Sequence, residues 1–117
     1  MANSFNLSPI DLFNCTNSSA NIKEIIGTPI GFKGVGIVEQ DVMDRKTGEV
    51  ERKDVAYIVT KEGVAYGCIS ALMVEGVKNL IPLLEADATI TDNYKMLVHT
   101  GESLAKREYI YFTLVSA

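Results

Sequence analysis

The sequence predicts an all-β domain with one helix, closing as a five-stranded barrel of the OB-fold type with element order β-β-β-α-β-β. Three observations carry this. A long strand-like run near residues 30–44 is interrupted by glycines, a helical signature lies between the third and fourth strand segments, and the last segment alternates with period two. The length of 117 residues fits one domain, and 47% apolar with 22% charged residues is ordinary globular composition. An α+β sandwich would use the same elements.

Residues 1–20 are rich in Asn and Ser and read as a loop-like arm, with at most a short turn or strand around Asp11 to Asn14, leaving 21–117 as the domain proper. From Ile30 to Asp44 the chain is β-prone, and Gly31, Gly34 and Gly36 mark bulges or bends that let a first strand pair on two sides. Asp44 to Arg52 is a polar hairpin centred on Gly48, Lys53 to Thr60 a second strand, and Val64 to Cys68 a short third strand after a turn at Lys61-Glu62-Gly63. Met73, Val77, Leu80 and Leu84 then fall on one helical face, with Ser70 as N-cap and Pro82 ending or kinking the helix near Ile81. Tyr94 to His99 forms a fourth strand and Arg107 to Val115 a fifth.

Several function classes are disfavoured. Eleven Lys+Arg against 15 Asp+Glu give a net charge of −4, without the basic excess common in nucleic-acid binders. Cys15 and Cys68 are far apart and His99 is the lone histidine, so neither a metal nor a disulfide framework is expected, and no cofactor. No apolar run reaches the roughly 18 residues of a membrane span, and the N-terminus lacks the pattern of a signal peptide, so a cytosolic protein is expected. His99 lacks a nucleophile signature nearby and reads as structural or solvent-facing, and the glycines do not make a phosphate cradle. An enzyme is not expected.

Binding fares better. Arg45, Lys46, Arg52 and Lys53 flank the loop between strands one and two, and Lys106 and Arg107 close the loop between strands four and five, the two loops with which an OB-fold holds an oligonucleotide. The interspersed Asp44, Glu49, Glu51, Glu102 and Glu108 fit an ordinary solvated hairpin equally well. In the last strand Ile110, Phe112 and Leu114 belong to the core, which leaves Tyr109 and Tyr111 on the opposite face, available to stack on bases or to pack against protein. Tyr57 and Tyr66 are further candidates for stacking.

The run Leu12-Phe13-Asn14-Cys15, the Gly63-x-x-Tyr66-x-x-Ile69-Ser70 segment and the strand Tyr109 to Leu114 resemble the small single-stranded-DNA-binding proteins of podoviruses with protein-primed replication. The likeness is one of low identity and runs over residues 12–115. It implies coating of displaced strands during phage or mobile-element replication in the host cytoplasm, with Tyr66 matching a tyrosine of that family. Self-association and contacts with replication proteins belong to the same expectation. Gln40 and Thr47 stand where that family can carry aromatics, and Tyr57 where it has a small polar residue, so the stacking set is redistributed. The rival expectation is a structural or interaction module, such as a virion or assembly component, that docks a protein on the same aromatic face. A nuclease would need an acidic metal cluster, for which the spacing gives no sign.

Overall fold

The computed structural model describes residues 3–44, 46–105 and 108–117. The chain runs as β1 (Asn3–Phe5), α1 (Pro9–Asn17), β2 (Ala20–Asn21), a 3-10 turn (Ile22–Ile25), β3 (Phe32–Met43), β4 (Val50–Thr60), β5 (Ala65–Cys68), α2 (Ala71–Ala86), α3 (Ile90–Asn93), β6 (Tyr94–Glu102) and β7 (Glu108–Ser116). It is mostly sheet with few helices, and among the described residues no helix is long and apolar enough to cross a membrane.

The strands make two sheets rather than the expected closed barrel. One has the order β1-β3-β4-β5-β2 and is mixed, because β2 pairs parallel with β5 while its other pairs are antiparallel. The other is the antiparallel hairpin β6-β7. Closure would join β5 to β7, but the free edge of β5 is occupied by Ala20 and Asn21. The sheets meet instead at two isolated bridges, Ile26 with Val98 and Ile30 with Met96.

Residues 3–17, read from sequence as a loop-like arm, hold β1 and a nine-residue helix. Ser8 accepts from the Asp11 amide at 3.1 Å while the Asp11 carboxylate accepts from the Ser8 amide at 2.9 Å, and Pro9 occupies the first turn where a missing N–H is harmless. Gly34 and Gly36 let this arm dock. A Cβ on Gly34 would lie 2.6 Å from the Phe5 carbonyl oxygen, and one on Gly36 3.0 Å from Leu12 Cδ2. The ladder shifts register between Phe32 and Gly34, the bulge that the glycine run predicted, whereas Gly36 serves as a docking notch.

With the arm in place, β4 is covered on both faces. Alternation sends Val55, Tyr57 and Val59 to a cluster with Leu7 and Cys15, and Ala56 and Ile58 to the main core with Phe32, Met73 and Met96. A strand buried on both sides reads as a continuous apolar run, as VAYIV does.

Helix α2 buries Met73, Val74, Val77, Leu80, Ile81 and Leu84, which includes the whole predicted stripe. It runs through Pro82 to Ala86 rather than stopping near Ile81. Proline in a helix costs about 3 kcal/mol, but burying large apolar side chains gains about 1.5–3 kcal/mol each, and Leu84 lies beyond the proline. Pro82 and Lys78 both sit on the solvent side, so water can serve the Lys78 carbonyl that loses its intrahelical donor. Ser70 occupies the N-cap position but makes no side-chain cap bond. Its hydroxyl donates to the Ile110 carbonyl at 2.9 Å and ties the start of α2 to β7.

Candidate nucleic-acid interface

The hairpin β6-β7 divides its side chains as its alternation dictates. Ile110, Phe112 and Leu114 pack on the core, and Tyr109, Tyr111 and Thr113 face the other way. Cross-strand register sets His99 opposite Tyr111 and Gly101 opposite Tyr109. The result is a ladder of rings: His99 stacks on Tyr111 with centroids 4.9 Å apart and planes 17° from parallel, and Tyr109 follows Tyr111 at 5.8 Å and 34°. His99 Nε2 and Thr113 Oγ1 are 2.8 Å apart, which fixes the imidazole. His99, read as structural or solvent-facing, is thus a member of the aromatic face. Its signal lay in its register with Tyr111, which sequence spacing does not contain.

The ladder is held from below at Gly101. A Cβ there would collide with the hydroxyl end of Tyr109, so glycine lets that ring lie close over the neighbouring strand. Tyr111 is covered by His99 on one side and flanked by Tyr109 on the other, whereas Tyr109 retains 36% of its surface.

The two other tyrosines stand apart from the ladder, although Tyr57 also lies in the lining of the groove beside it. Tyr57 is only 2% exposed, in the cluster under the N-terminal arm, with its hydroxyl donating to Gln40 Oε1 at 2.7 Å. This corrects its assignment as a stacking ring: the arm covers the face it occupies. Desolvation pushes the Tyr57 phenol above the usual tyrosine value of 10.0. A raised folded-state value means stability that is complete below about pH 10 and is lost as pH rises through the folded value. Tyr57→Phe should therefore make the alkaline decline of Tm shallower, and alkaline limbs that superimpose would show an accessible phenol. Tyr66 is half-buried and packs against the main core, so it offers at most an edge.

The basic residues are less free than their positions suggest. Arg52 is held by Glu39 at 3.0 Å and Asp41 at 3.2 Å, and Lys53 lies 3.5 Å from Glu51. Lys46 is exposed in the β3-β4 turn, where its amide bonds Asp44 Oδ1 at 2.8 Å, and among the described residues no carboxylate pairs with its ammonium. Arg45, Lys106 and Arg107 lie outside the described residues. Cross-strand pairing of this kind follows from register, since Asp41 stands opposite Arg52 in the ladder.

Beside the ladder runs an open groove of about 960 Å³. It is lined by Gln40 to Met43 of β3, Tyr57 of β4, Glu108 to Ile110 of β7, Ile69 and Leu72 around the start of α2, and residues 19–23. Tyr109 belongs to both ladder and groove. Sequence reading missed Ile69, Leu72, Lys23 and Met43, whose juxtaposition arises only from the tertiary fold. Among the described residues no cluster of three or more His, Cys, Asp or Glu could hold a metal ion. Burial pushes both the Cys15 and Cys68 thiols up, which disfavours the reactive thiolate. Comparison with protein-family models, curated proteins and solved structures yields no significant match to this chain.

Proposed function

We propose that the protein binds single-stranded DNA on the face formed by the ring ladder and the adjoining groove, and coats strands displaced during phage or mobile-element replication. In this reading β3, β4, β5, α2, β6 and β7 are the elements of an open OB-like unit, and the groove lies between its first and last hairpins. The observation that carries the reading is Tyr109, an exposed ring seated on Gly101 at the mouth of the groove. Base stacking on such a ring contributes about 1–3 kcal/mol and is indifferent to sequence.

The test is the double variant Tyr109→Ala, Tyr111→Ala. Because Tyr111 is enclosed by its neighbours, one stacking increment is expected rather than two, a loss of affinity of about 5- to 150-fold with Tm nearly constant. The parent's tyrosine fluorescence should be quenched by oligothymidine and not by duplex. Unchanged affinity would refute the reading.

One observation favours a second reading, a protein-interaction module on the same face: the described cations of the first hairpin are largely engaged by carboxylates. Salt dependence separates the two. Phosphate contacts give a steep fall of log affinity with log salt, and Lys53→Glu with Arg107→Glu should flatten it for strands of any sequence. Salt-insensitive self-association with no oligonucleotide binding would favour the module.

A further inference from the structure

Among the described residues the sheet edges are blunted everywhere except along β7. β1 and β2 are three and two residues long, and β6 is tied to the loop before β3 at Ile26 and Ile30. Where β3 runs beyond β1 it carries Glu39 and Asp41, and where β4 runs beyond β5 it carries Glu51, Arg52, Lys53 and Asp54. Short, covered or charged edges resist joining another strand. β7 has none of these devices: it pairs with β6 without a register shift, and Tyr109 to Ser116 contain neither a charge nor a proline.

Register fixes which backbone groups of β7 point outward. Met96 bonds Ile30 through both its amide and its carbonyl and stands opposite Leu114, so at this pair, and at every second pair of the hairpin, those groups point away from the partner strand. On β7 the outward set includes Ile110, Phe112 and Leu114. The Ile110 carbonyl accepts from Ser70, whereas among the described residues no hydrogen bond meets the outward amides and carbonyls of Phe112 and Leu114. Their side chains are half-buried on the main core, and Thr113 between them is exposed.

We propose that the outer edge of β7 is a dimer interface, pairing antiparallel with the β7 of a second copy about a two-fold axis at Thr113. In that register Phe112 faces Leu114 of the second copy, and the reverse, so the unpartnered groups supply four main-chain hydrogen bonds and the Ile110 carbonyl can stay with Ser70. Tyr111 stands opposite Val115, an aromatic on a β-branched side chain, and no like charges meet. The occupant is a second copy because the strand is complementary to itself. The inference does not rest on the single-strand reading, though the paired hairpins carry both ring ladders on one face.

Sedimentation equilibrium without nucleic acid should give about twice the 12.8 kDa of one chain. Thr113→Lys sets two ammonium groups opposite each other at the axis and should return the mass of a single chain with an unchanged far-UV circular dichroism spectrum. Thr113→Cys reports the register: residues facing each other at a non-hydrogen-bonded position have Cα atoms about 4.5 Å apart, within disulfide reach, so the two copies should cross-link on mild oxidation. Val115→Cys, which lies about 13 Å along the strand from its counterpart in the second copy, should not. Both native thiols are buried and leave that assay clean. A parent that is monomeric at millimolar concentration, a dimer that survives Thr113→Lys, or a Thr113→Cys variant that fails to cross-link would overturn the interface. Oligonucleotide binding, measured separately, decides the single-strand reading whichever way these results fall.

Discussion

Met73→Asp should destabilise the domain severely. Met73 is 0% exposed, on the face of α2 that meets the main core among Phe32, Met96 and Val98. A carboxylate there has no partner and must either stay charged in an apolar interior or bind a proton at a cost, and substitutions of this type cost about 4–5 kcal/mol or more. Stability of about 0.05–0.15 kcal/mol per residue gives on the order of 10 kcal/mol for this chain, so roughly half is removed. At about 4 °C per kcal/mol, Tm falls by about 15–20 °C. Leu83→Asp is the control on the same helix: Leu83 is 57% exposed, and the change should stay within about 0.5 kcal/mol. Equal melting of parent and Met73→Asp would contradict the placement of α2.

Gly34→Val should release the N-terminal arm. The new Cβ meets backbone, the Phe5 carbonyl at 2.6 Å, as well as Leu7 Cδ2 at 2.8 Å, and backbone cannot rotate aside as a flexible side chain can. Overpacking of this kind costs about 1–3 kcal/mol, and the strain falls on the short strand β1, which is joined to β3 over only three residue pairs. The specific readout is Cys15. It is 1% exposed, packed with Leu7 and Tyr57, and should be inert to alkylation in the parent. In the variant it should react rapidly, while Cys68, in the main core, should remain protected. A Cys15 that stays unreactive in a folded Gly34→Val variant would show that the arm accommodates the side chain.

The strands and the apolar stripe of α2 were legible because their alternation and helical spacing are set by what each residue buries locally. The arm was misread because α1 buries only Cys15 and is flanked by Asn and Ser on both sides, yet its start was written in Ser8-Pro9-Ile10-Asp11, a proline inside a capping box. Tyr57 looked exposed for a related reason: with the arm taken as loop, one face of β4 seemed to lack a cover. Pro82 left open where the helix ends because helix propensity is a local quantity, whereas the burial of Leu84 that offsets its cost is tertiary. Of the candidate site, Tyr109 and Tyr111 followed from period two alone. His99, Gly101 and the groove required register between strands and the approach of elements distant in sequence. The ion pairing of Arg52 likewise depended on which carboxylates stood across the ladder.

The seam between the sheets is held differently from the sheets themselves. A hydrogen-bonded ladder resists shear at every rung, whereas among the described residues the bonds that run between the loop before β3 and β6 are that from Gly27 to Val98 and the reciprocal pair between Ile30 and Met96. Elsewhere the junction is apolar packing with a few polar ties, the Ser70 hydroxyl on the Ile110 carbonyl and the Lys23–Glu108 ion pair among them. The two walls of the groove belong to different sheets, Gln40 to Met43 on one and Glu108 to Ile110 on the other. The width of the groove at Tyr109 is therefore set by how the two sheets pack on each other and not by the ladder within either one.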